Sequence, residues 1–279
     1  MTRALTEAEM RGKLRAEFPE HFRHAWTLFE LAQGALGSFK AIADTPFKKS
    51  IALIGGRSFK AYHAILNLCE IAYTEDAGVI LRSLFQLLVI TRWLSMGDSE
   101  KRARKYLGWF WVAMMGELKL YESRIDPRLA RAARNGYANH KGLFEYIDKD
   151  GKQRMSKQWC EPDARNLEQM AKEVDLTTHY DGLYRPLSSV EHSDALAYSA
   201  MVSEILTTQD GVSLNLHSDM FVPAHVRNAF QYFGEIFNTW NQTFAVLKED
   251  HVRRVRTEGI DFFKQDMSEK LPTDSPGIA

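Results

Sequence analysis

The sequence is poor in cysteine and has no excess of either charge, and each absence argues against a class of protein. The two cysteines, Cys69 and Cys160, are far apart and belong to no Cys/His cluster, which argues against a disulfide scaffold and against a zinc site. Basic and acidic residues number 36 each. That balance argues against a protein dedicated to coating nucleic acid, although it leaves room for a local basic groove.

Long apolar runs are also missing. The first eighteen residues are charged throughout, so they do not resemble a signal peptide. The two most apolar windows, residues 79–94 and 107–115, both fall short of about 18 uninterrupted apolar residues, and Arg82 and Arg92 interrupt the first. We therefore expect buried core helices, no membrane partner and a cytoplasmic location.

The common cofactor and catalytic motifs are absent as well. We find no GxGxxG, GxxxxGK[ST], GxSxG, HExxH or ExxH pattern, so no cofactor and no metal are predicted. Gly55 and Gly56 precede an apolar helical pattern. They predict either an anion-binding helix start or, more simply, a turn that breaks the helix.

What the sequence does contain is helical periodicity. Apolar residues recur at spacings of three and four along most of the chain, which predicts an all-α, multi-helix bundle with one short β-hairpin. We expect a single helical domain over residues 1–264, an irregular insertion at about 136–162 with a short helix near 143–147, an extended segment within 207–223, and a disordered tail over 265–279. The predicted helices are 21–43, 50–73, 77–96, 100–123, 128–135, 163–174, the part of 177–203 that follows Pro186, and 223–256.

The last of these helices carries the cleanest apolar stripe. Its members alternate at gaps of four and three residues, and they are Val226, Phe230, Phe233, Phe237, Trp240, Phe244 and Leu247. Such a stripe is either core or, where it stays partly exposed, a dimer interface. We predict a homodimer through helix 223–256.

The segment YRPLSSVEH, residues 184–192, has the best combination of polar groups for chemistry. Pro186 suits the first turn of a helix, which would place Ser188 and His192 on one face. The histidine could act as general acid or base, and Arg185 could hold a phosphate. Tyr184 and Glu191 are the predicted substrate-binding assistants. The alternative is structural, with hydrogen bonds from Ser188 and His192 and a carboxylate pairing with the arginine.

Arg82 is the second candidate, because it interrupts an otherwise apolar helix. A buried guanidinium needs a partner. Glu70 or Glu75 could supply one, and an anionic ligand in an internal cleft would be the functional alternative.

Three basic clusters recur in this neutral chain. They are residues 101–105, the set Arg124, Arg128, Arg131 and Arg134, and the set Arg253, Arg254 and Arg256. On one side of the molecule they would form a surface that suits RNA, a predicted partner; otherwise they are solvated helix faces.

Two segments together resemble a known family. The helix AGVILRSLFQLL, residues 77–88, and YRPLSSVEH resemble the bacterial helical family of unknown function DUF5677, over roughly residues 20–250. Gln86 stands where that pattern usually has a glutamate. The arginine–histidine spacing is also similar to that of HEPN-type ribonucleases, which are metal-independent and act in defence systems. That resemblance implies Arg185 and His192 as the catalytic pair, although Pro186 replaces the polar residue that often follows the arginine.

These observations lead to one main hypothesis and two alternatives. The main hypothesis is a HEPN-like, metal-independent ribonuclease in a defence or stress response, with a polar cleft built from Arg82, Ser188 and His192. The first alternative is a non-catalytic dimeric scaffold or ligand-sensing protein. The second is a small-molecule enzyme, such as a hydrolase of an anionic substrate.

Overall fold

The described part of the chain is mostly helical, as the periodicity predicts. The computed structural model describes residues 5–40, 43–121, 124–191, 219 and 221–270, with the backbone alone at 189–191, 269 and 270. The helices are α1 (Glu7–Glu17), α2 (Pro19–Gly37), α3 (Pro46–Glu70), α4 (Thr74–Leu94), α5 (Ser99–Tyr121), α6 (Pro127–His140), α7 (Leu167–Glu173), α8 (Thr177–His179), α9 (Arg185–Glu191), α10 (Val222–Phe244) and α11 (Glu249–Lys270). The all-α prediction is confirmed.

The predicted β-hairpin exists, and it follows α6 and a short 3₁₀ turn (Lys141–Leu143). Strands β1 (Glu145–Ile147) and β2 (Gln153–Met155) are antiparallel, with Tyr146 opposite Arg154. The Asp148 carboxylate closes the turn by accepting hydrogen bonds from the backbone N–H groups of Asp150 and Lys152, both at 2.9 Å. The short helix predicted near 143–147 is therefore wrong. The extended segment predicted within 207–223 falls largely outside the described residues, and from Val222 onward the chain is helical.

The described chain divides into two compact units. One contains residues from 1–41, 54–88 and 181–279, and the other contains residues 42–53 and 89–180. In the first unit, α2, α10 and α11 pack together, with α1 against α2; in the second, α5 packs along α6. The single helical domain stays a prediction.

Helix α3 runs without interruption through Gly55 and Gly56, so the predicted break there is wrong. A methyl group on Gly55 would lie 2.6 Å from Trp240 Cδ1, whereas one on Gly56 would meet no atom within 4 Å. Gly55 thus permits α10 to approach α3 closely. Because this pair lies inside a helix, it offers no helix N-terminus to an anion.

Helix α4 is largely buried, and it begins at Thr74, three residues before the predicted start at residue 77. Thr74 opens the helix, and Leu81, Leu84 and Phe85 are fully buried. By length and composition alone α4 could cross a membrane, but most of its apolar window is buried inside the protein. That burial is what a core helix requires.

The predicted single helix over 223–256 is two helices in the structure. Ala245 adopts a left-handed conformation with φ of 51°, which ends α10. The buried Asn241 side chain then bridges the break, accepting from Leu247 N at 2.8 Å and donating to Leu247 O at 3.1 Å. Local hydrogen bonding overrides the periodicity here.

The apolar stripe of α10 is used inside the chain. Val226, Phe230, Phe233, Phe237 and Trp240 are all buried. Core packing accounts for these five members of the stripe without a partner chain. Homodimerisation itself stays a prediction.

Helix α11 also extends further than expected. It continues to Lys270, so residues 265–270, which were predicted to be disordered tail, are helical. Gly259 permits α11 to pack closely against α10, because a methyl group there would lie 2.2 Å from Phe230 Cζ. Residues 271–279 lie outside the described part of the chain.

Candidate functional site

The segment that carries Tyr184 contains a π-helical turn. Helix α8, the π segment Tyr180–Tyr184 and helix α9 follow one another directly. Pro186 was predicted to open a helix, but helical structure already begins at Thr177. Proline has no N–H to donate to the preceding turn, and Pro186 is the second residue after the widened turn. π turns of this kind often lie at functional sites.

Tyr184 meets the arginine of the central helix. Arg82 Nη2 donates a hydrogen bond to Tyr184 Oη at 3.0 Å, and the guanidinium carbon lies 4.5 Å from the centre of the tyrosine ring. Phe85, one turn further along α4, also contacts that ring, at 5.8 Å between centroids. The two sequence segments singled out above therefore come together through these side chains. Cation–π contact and hydrogen bonding together hold the guanidinium in a defined orientation.

A second contact joins α4 and α9 one turn away. A methyl group on Gly78 would lie 2.9 Å from Leu187 Cδ2 and 3.2 Å from His225 Nε2. Gly78 precedes Arg82 by one turn of α4, and Leu187 follows Tyr184 by one turn. The small residue at Gly78 therefore allows α9 and α10 to approach α4 beside the arginine.

Arg185 has a different environment from Arg82. Its Nε lies 3.0 Å from Asp181 Oδ1, and both side chains are about half exposed. This i,i+4 pair on the helix surface is the carboxylate pairing that the structural alternative foresaw. Ser188 is half-buried on α9. The Glu191 side chain and all of His192 lie outside the described residues.

His225 is a histidine at this site that the sequence did not single out. It is buried at the first turn of α10 and stacks on Phe221 with centroids 5.9 Å apart. Burial lowers the pKa of His225 to about 4, against a smaller opposing effect of its hydrogen bond with the Thr74 backbone. The imidazole is therefore neutral at pH 7. No local pattern marks this residue, because only the packing of α10 on α4 makes it part of the site.

Glu70, one of the acids considered for Arg82, is held by the N-terminal helices. Its fully buried carboxylate accepts hydrogen bonds from Arg11, from Arg15 Nε at 2.8 Å and from Trp26 Nε1 at 2.7 Å. Two arginines from α1 and one indole from α2 thus surround a single charge. This arrangement fastens α1 to the end of α3.

The cysteines are poor candidates for nucleophiles. Burial raises the pKa of Cys69 far above that of a free thiol and raises the pKa of Cys160 to about 11. Both are therefore protonated at neutral pH. Among the described residues, no group of three or more His, Cys, Asp or Glu side chains is placed to hold a metal ion.

A comparison with protein families decides the identity of the chain. A family model described as a family of unknown function, DUF5677, matches residues 51–210, which is more than half of the chain. The chain belongs to the DUF5677 family. No curated protein and no solved structure matches it.

The DUF5677 match spans Arg82, Tyr184 and Leu187, whereas His225 follows it in the chain. Arg82 and Tyr184 lie more than 100 positions apart in the sequence, yet their side chains are in direct contact. The contacts of α4 with the π segment and with α9 in this DUF5677 protein are therefore formed by residues inside the family region, and α10 adds a histidine from outside it.

Proposed function

We propose that this DUF5677 protein is a HEPN-like, metal-independent ribonuclease that acts in a defence or stress response. The observation that carries the proposal is the contact of Arg82 with Tyr184. It places an oriented guanidinium from an apolar helix beside the segment that ends in His192. An arginine held in this way is suited to bind a phosphate diester and to stabilise the charge that develops during its cleavage.

The proposed reaction needs only side chains and the RNA itself. His192 accepts the proton of a ribose 2′-hydroxyl, and the 2′-oxygen attacks the adjacent phosphorus. The bond from phosphorus to the 5′-oxygen breaks, and that oxygen takes a proton from water. The hydroxide that remains takes the proton from His192, which returns the histidine to its neutral form. The products are a 2′,3′-cyclic phosphate and a 5′-hydroxyl. Arg82 balances the added negative charge on the phosphoryl oxygens, and Tyr184 keeps its guanidinium in place.

Arg185 has a lesser part in this proposal. Its partner Asp181 already satisfies much of its charge, and both side chains are exposed to solvent. We therefore assign it to long-range attraction of the RNA backbone. Ser188, half-buried on α9, and Glu191 are proposed to contact the substrate.

The test is cleavage of total RNA by the purified protein in the presence of EDTA. We expect His192→Ala to lower the rate by about 10²- to 10⁴-fold and Arg82→Gln by about 10²- to 10³-fold. His251→Ala is the matched control, because His251 is exposed on α11. Arg92→Gln controls for damage to α4, since Arg92 donates to the Val174 carbonyl at 3.1 Å.

The outcomes separate the proposal from its alternatives. Cleavage that survives EDTA, depends on His192 and Arg82, and leaves a cyclic phosphate supports it. A wild-type protein that leaves the RNA intact, or a His192→Ala protein that cleaves as fast as wild type, would overturn it.

A second candidate is the non-catalytic, ligand-sensing protein, and a cavity in the first unit favours it. The cavity, of about 450 Å³, is lined by Arg15, Pro19, Phe22, Arg23, Trp26 and Glu30. Its size and its mixture of aromatic and charged side chains suit a small ligand. A thermal-shift screen against nucleotides and small anions tests it. A hit that Trp26→Ala abolishes would favour sensing over catalysis.

A further inference from the structure

Within the described part of the chain, the three basic clusters contain both paired and unpaired charges. In residues 101–105, Lys105 is buried and lies 3.1 Å from Asp163. In the cluster on α11, Arg253 lies 3.5 Å from Glu249. Among the described residues, by contrast, neither Arg128 nor Arg131 of α6 forms an ion pair. Those two charges are available to a partner.

Helix α6 carries no acid that could neutralise them. Asp126 caps its N-terminus by accepting from Arg128 N at 2.7 Å, but no aspartate or glutamate follows between Pro127 and Leu143. Arg128, Arg131 and Arg134 recur every third residue, so they lie along one ridge of the helix. Arg128 and Arg131 are both exposed. The ridge is thus strongly positive in a chain without net charge.

The opposite side of α6 is fixed to α5. Ala130 and Ala133 are buried with Leu118, and a methyl group on Gly136 would lie 2.2 Å from a ring atom of Trp111. His140 Nδ1, at the end of the helix, lies 2.7 Å from the Gly136 carbonyl. Small residues therefore seat the helix tightly, and the arginines project from a rigid base.

A groove runs beside this ridge. It has a volume of about 380 Å³ and is lined by Ile125, Pro127, Ala130, Arg131, Arg134 and Asn135. Its apolar residues suit the flat face of a base or a ribose, its arginines suit phosphates, and Asn135 offers an amide to a base edge. The cavity lined by Arg15 and Arg23 differs in that carboxylates, those of Glu70 and Glu20, already pair with its arginines.

We propose that the α6 groove binds single-stranded RNA, with Arg128 and Arg131 on successive phosphates and a nucleotide against Ile125 and Pro127. The choice of RNA rests on the proposed ribonuclease function, and the groove extends that proposal by naming a surface that holds the substrate. Two arginines without competing acids, beside a groove that can take a nucleotide, match a strand whose charge repeats at every phosphate.

The experiment measures binding rather than cleavage. Labelled single-stranded RNA is titrated with full-length protein in EDTA, in the His192→Ala background, and the anisotropy gives Kd. The test variant is Arg128→Gln/Arg131→Gln. The matched control is Arg253→Gln/Arg254→Gln, which removes the same charge from exposed positions of another helix. Circular dichroism and the melting temperature confirm that both variants fold.

We expect the α6 double variant to weaken RNA binding by about tenfold at physiological salt and to reduce the slope of log Kd against log salt by about 1.4, for two lost phosphate contacts. The control should change Kd by less than about twofold. Equal effects of the two double variants, or none from the α6 variant, would overturn the proposal. The proposal would also be overturned if the α6 double variant lost binding to poly-glutamate or to anionic vesicles while its RNA binding stayed unchanged.

The two proposals can fail separately. RNA binding that depends on α6, without cleavage by the wild type, would remove the ribonuclease and keep the groove. Cleavage that depends on His192, with unchanged RNA binding by the α6 variant, would keep the ribonuclease and remove the groove. A wild-type protein that does not bind RNA overturns both.

Discussion

The adjacent glycines of α3 provide a sharp test of the packing, because the structure gives them opposite surroundings. A methyl group on Gly55 would lie 2.6 Å from Trp240 Cδ1 and 3.2 Å from its Nε1, while one on Gly56 would meet open space. Trp240 cannot retreat easily, since it is 1% exposed and packs against Phe39 at 5.0 Å and Phe237 at 5.8 Å. The two glycines are adjacent in the same helix and receive the same substitution, so their surroundings are what differs.

The magnitudes follow from two opposing effects. Alanine is better than glycine inside a helix by about 1 kcal/mol, and forcing atoms into a filled core costs about 1–3 kcal/mol or more. We expect Gly56→Ala to raise the free energy of unfolding by about 0.5–1 kcal/mol. We expect Gly55→Ala to lower it by about 1–2 kcal/mol or more, because a crowding cost at the upper end of that range against Trp240 exceeds the gain of about 1 kcal/mol in helix preference.

The assay is urea denaturation followed by circular dichroism, with each variant beside wild type. The slope of the transition should stay constant, so that the midpoint alone reports stability. Equal changes in the two variants would refute the close approach of Trp240 to Gly55. Stabilisation by both would show that the glycine pair only lowers the helix propensity of α3.

Three further predictions concern buried polar groups. The pKa of His225, about 4 against an ordinary 6.5, means that the unfolded chain binds a proton there between pH 6.5 and 4 while the folded chain does not. The neutral histidine therefore contributes its full stabilisation above pH 6.5, and the free energy of unfolding falls by about 3 kcal/mol as the pH drops to 4. We expect His225→Gln to lessen this loss, as measured by urea titrations across that pH range. Glu70→Gln should cost about 2–4 kcal/mol of unfolding free energy, and coupling with Arg15→Gln in a double-mutant cycle should exceed about 0.5 kcal/mol; an additive cycle would contradict the contact. Cys69 and Cys160 should react with a thiol reagent at pH 7 much more slowly in the native protein than in urea, and equal rates would contradict their burial.

The helices were predictable where local signals and tertiary packing agree. Thr74 followed by two acids marks the start of α4, and the apolar surface on every side of that helix indicates its central place. Helix α1 is not among the predicted helices, although its start carries a local signal. Its Thr6 and Glu9 form a capping box, which stands out in the sequence as a threonine followed three residues later by a glutamate.

The misplaced boundaries have tertiary causes. Two glycines inside a helix cost only about 1 kcal/mol each, an amount that packing against Trp240 can offset, so α3 does not break. The end of α10 depends on Asn241 reaching across the turn to Leu247. Neither cause is visible in the spacing of apolar residues along the sequence.

The candidate site was partly predictable for a similar reason. An arginine in an apolar helix needs a polar or charged partner, and the polar segment that begins at Tyr184 can supply one. The Arg82–Tyr184 contact therefore agrees with what the sequence suggests. His225 gave no such signal, since a histidine on an apolar helix is ordinary until its neighbours are known. The pairing of Arg185 with Asp181 depends on a helix that begins before Pro186, which the proline pattern concealed.

The π turn at Tyr180–Tyr184 has a consequence for insertions and deletions. A π turn is an α-helix with one residue more than its regular hydrogen bonding requires, so it sets the rotational phase of all residues after it. Removing one residue within it, such as Gly182, would regularise the hydrogen bonds and turn α9 by about 100° relative to the preceding helix. Leu187 would then leave Gly78, and a shorter, more regular helix would fit less well. Length variation among relatives should therefore avoid these five positions.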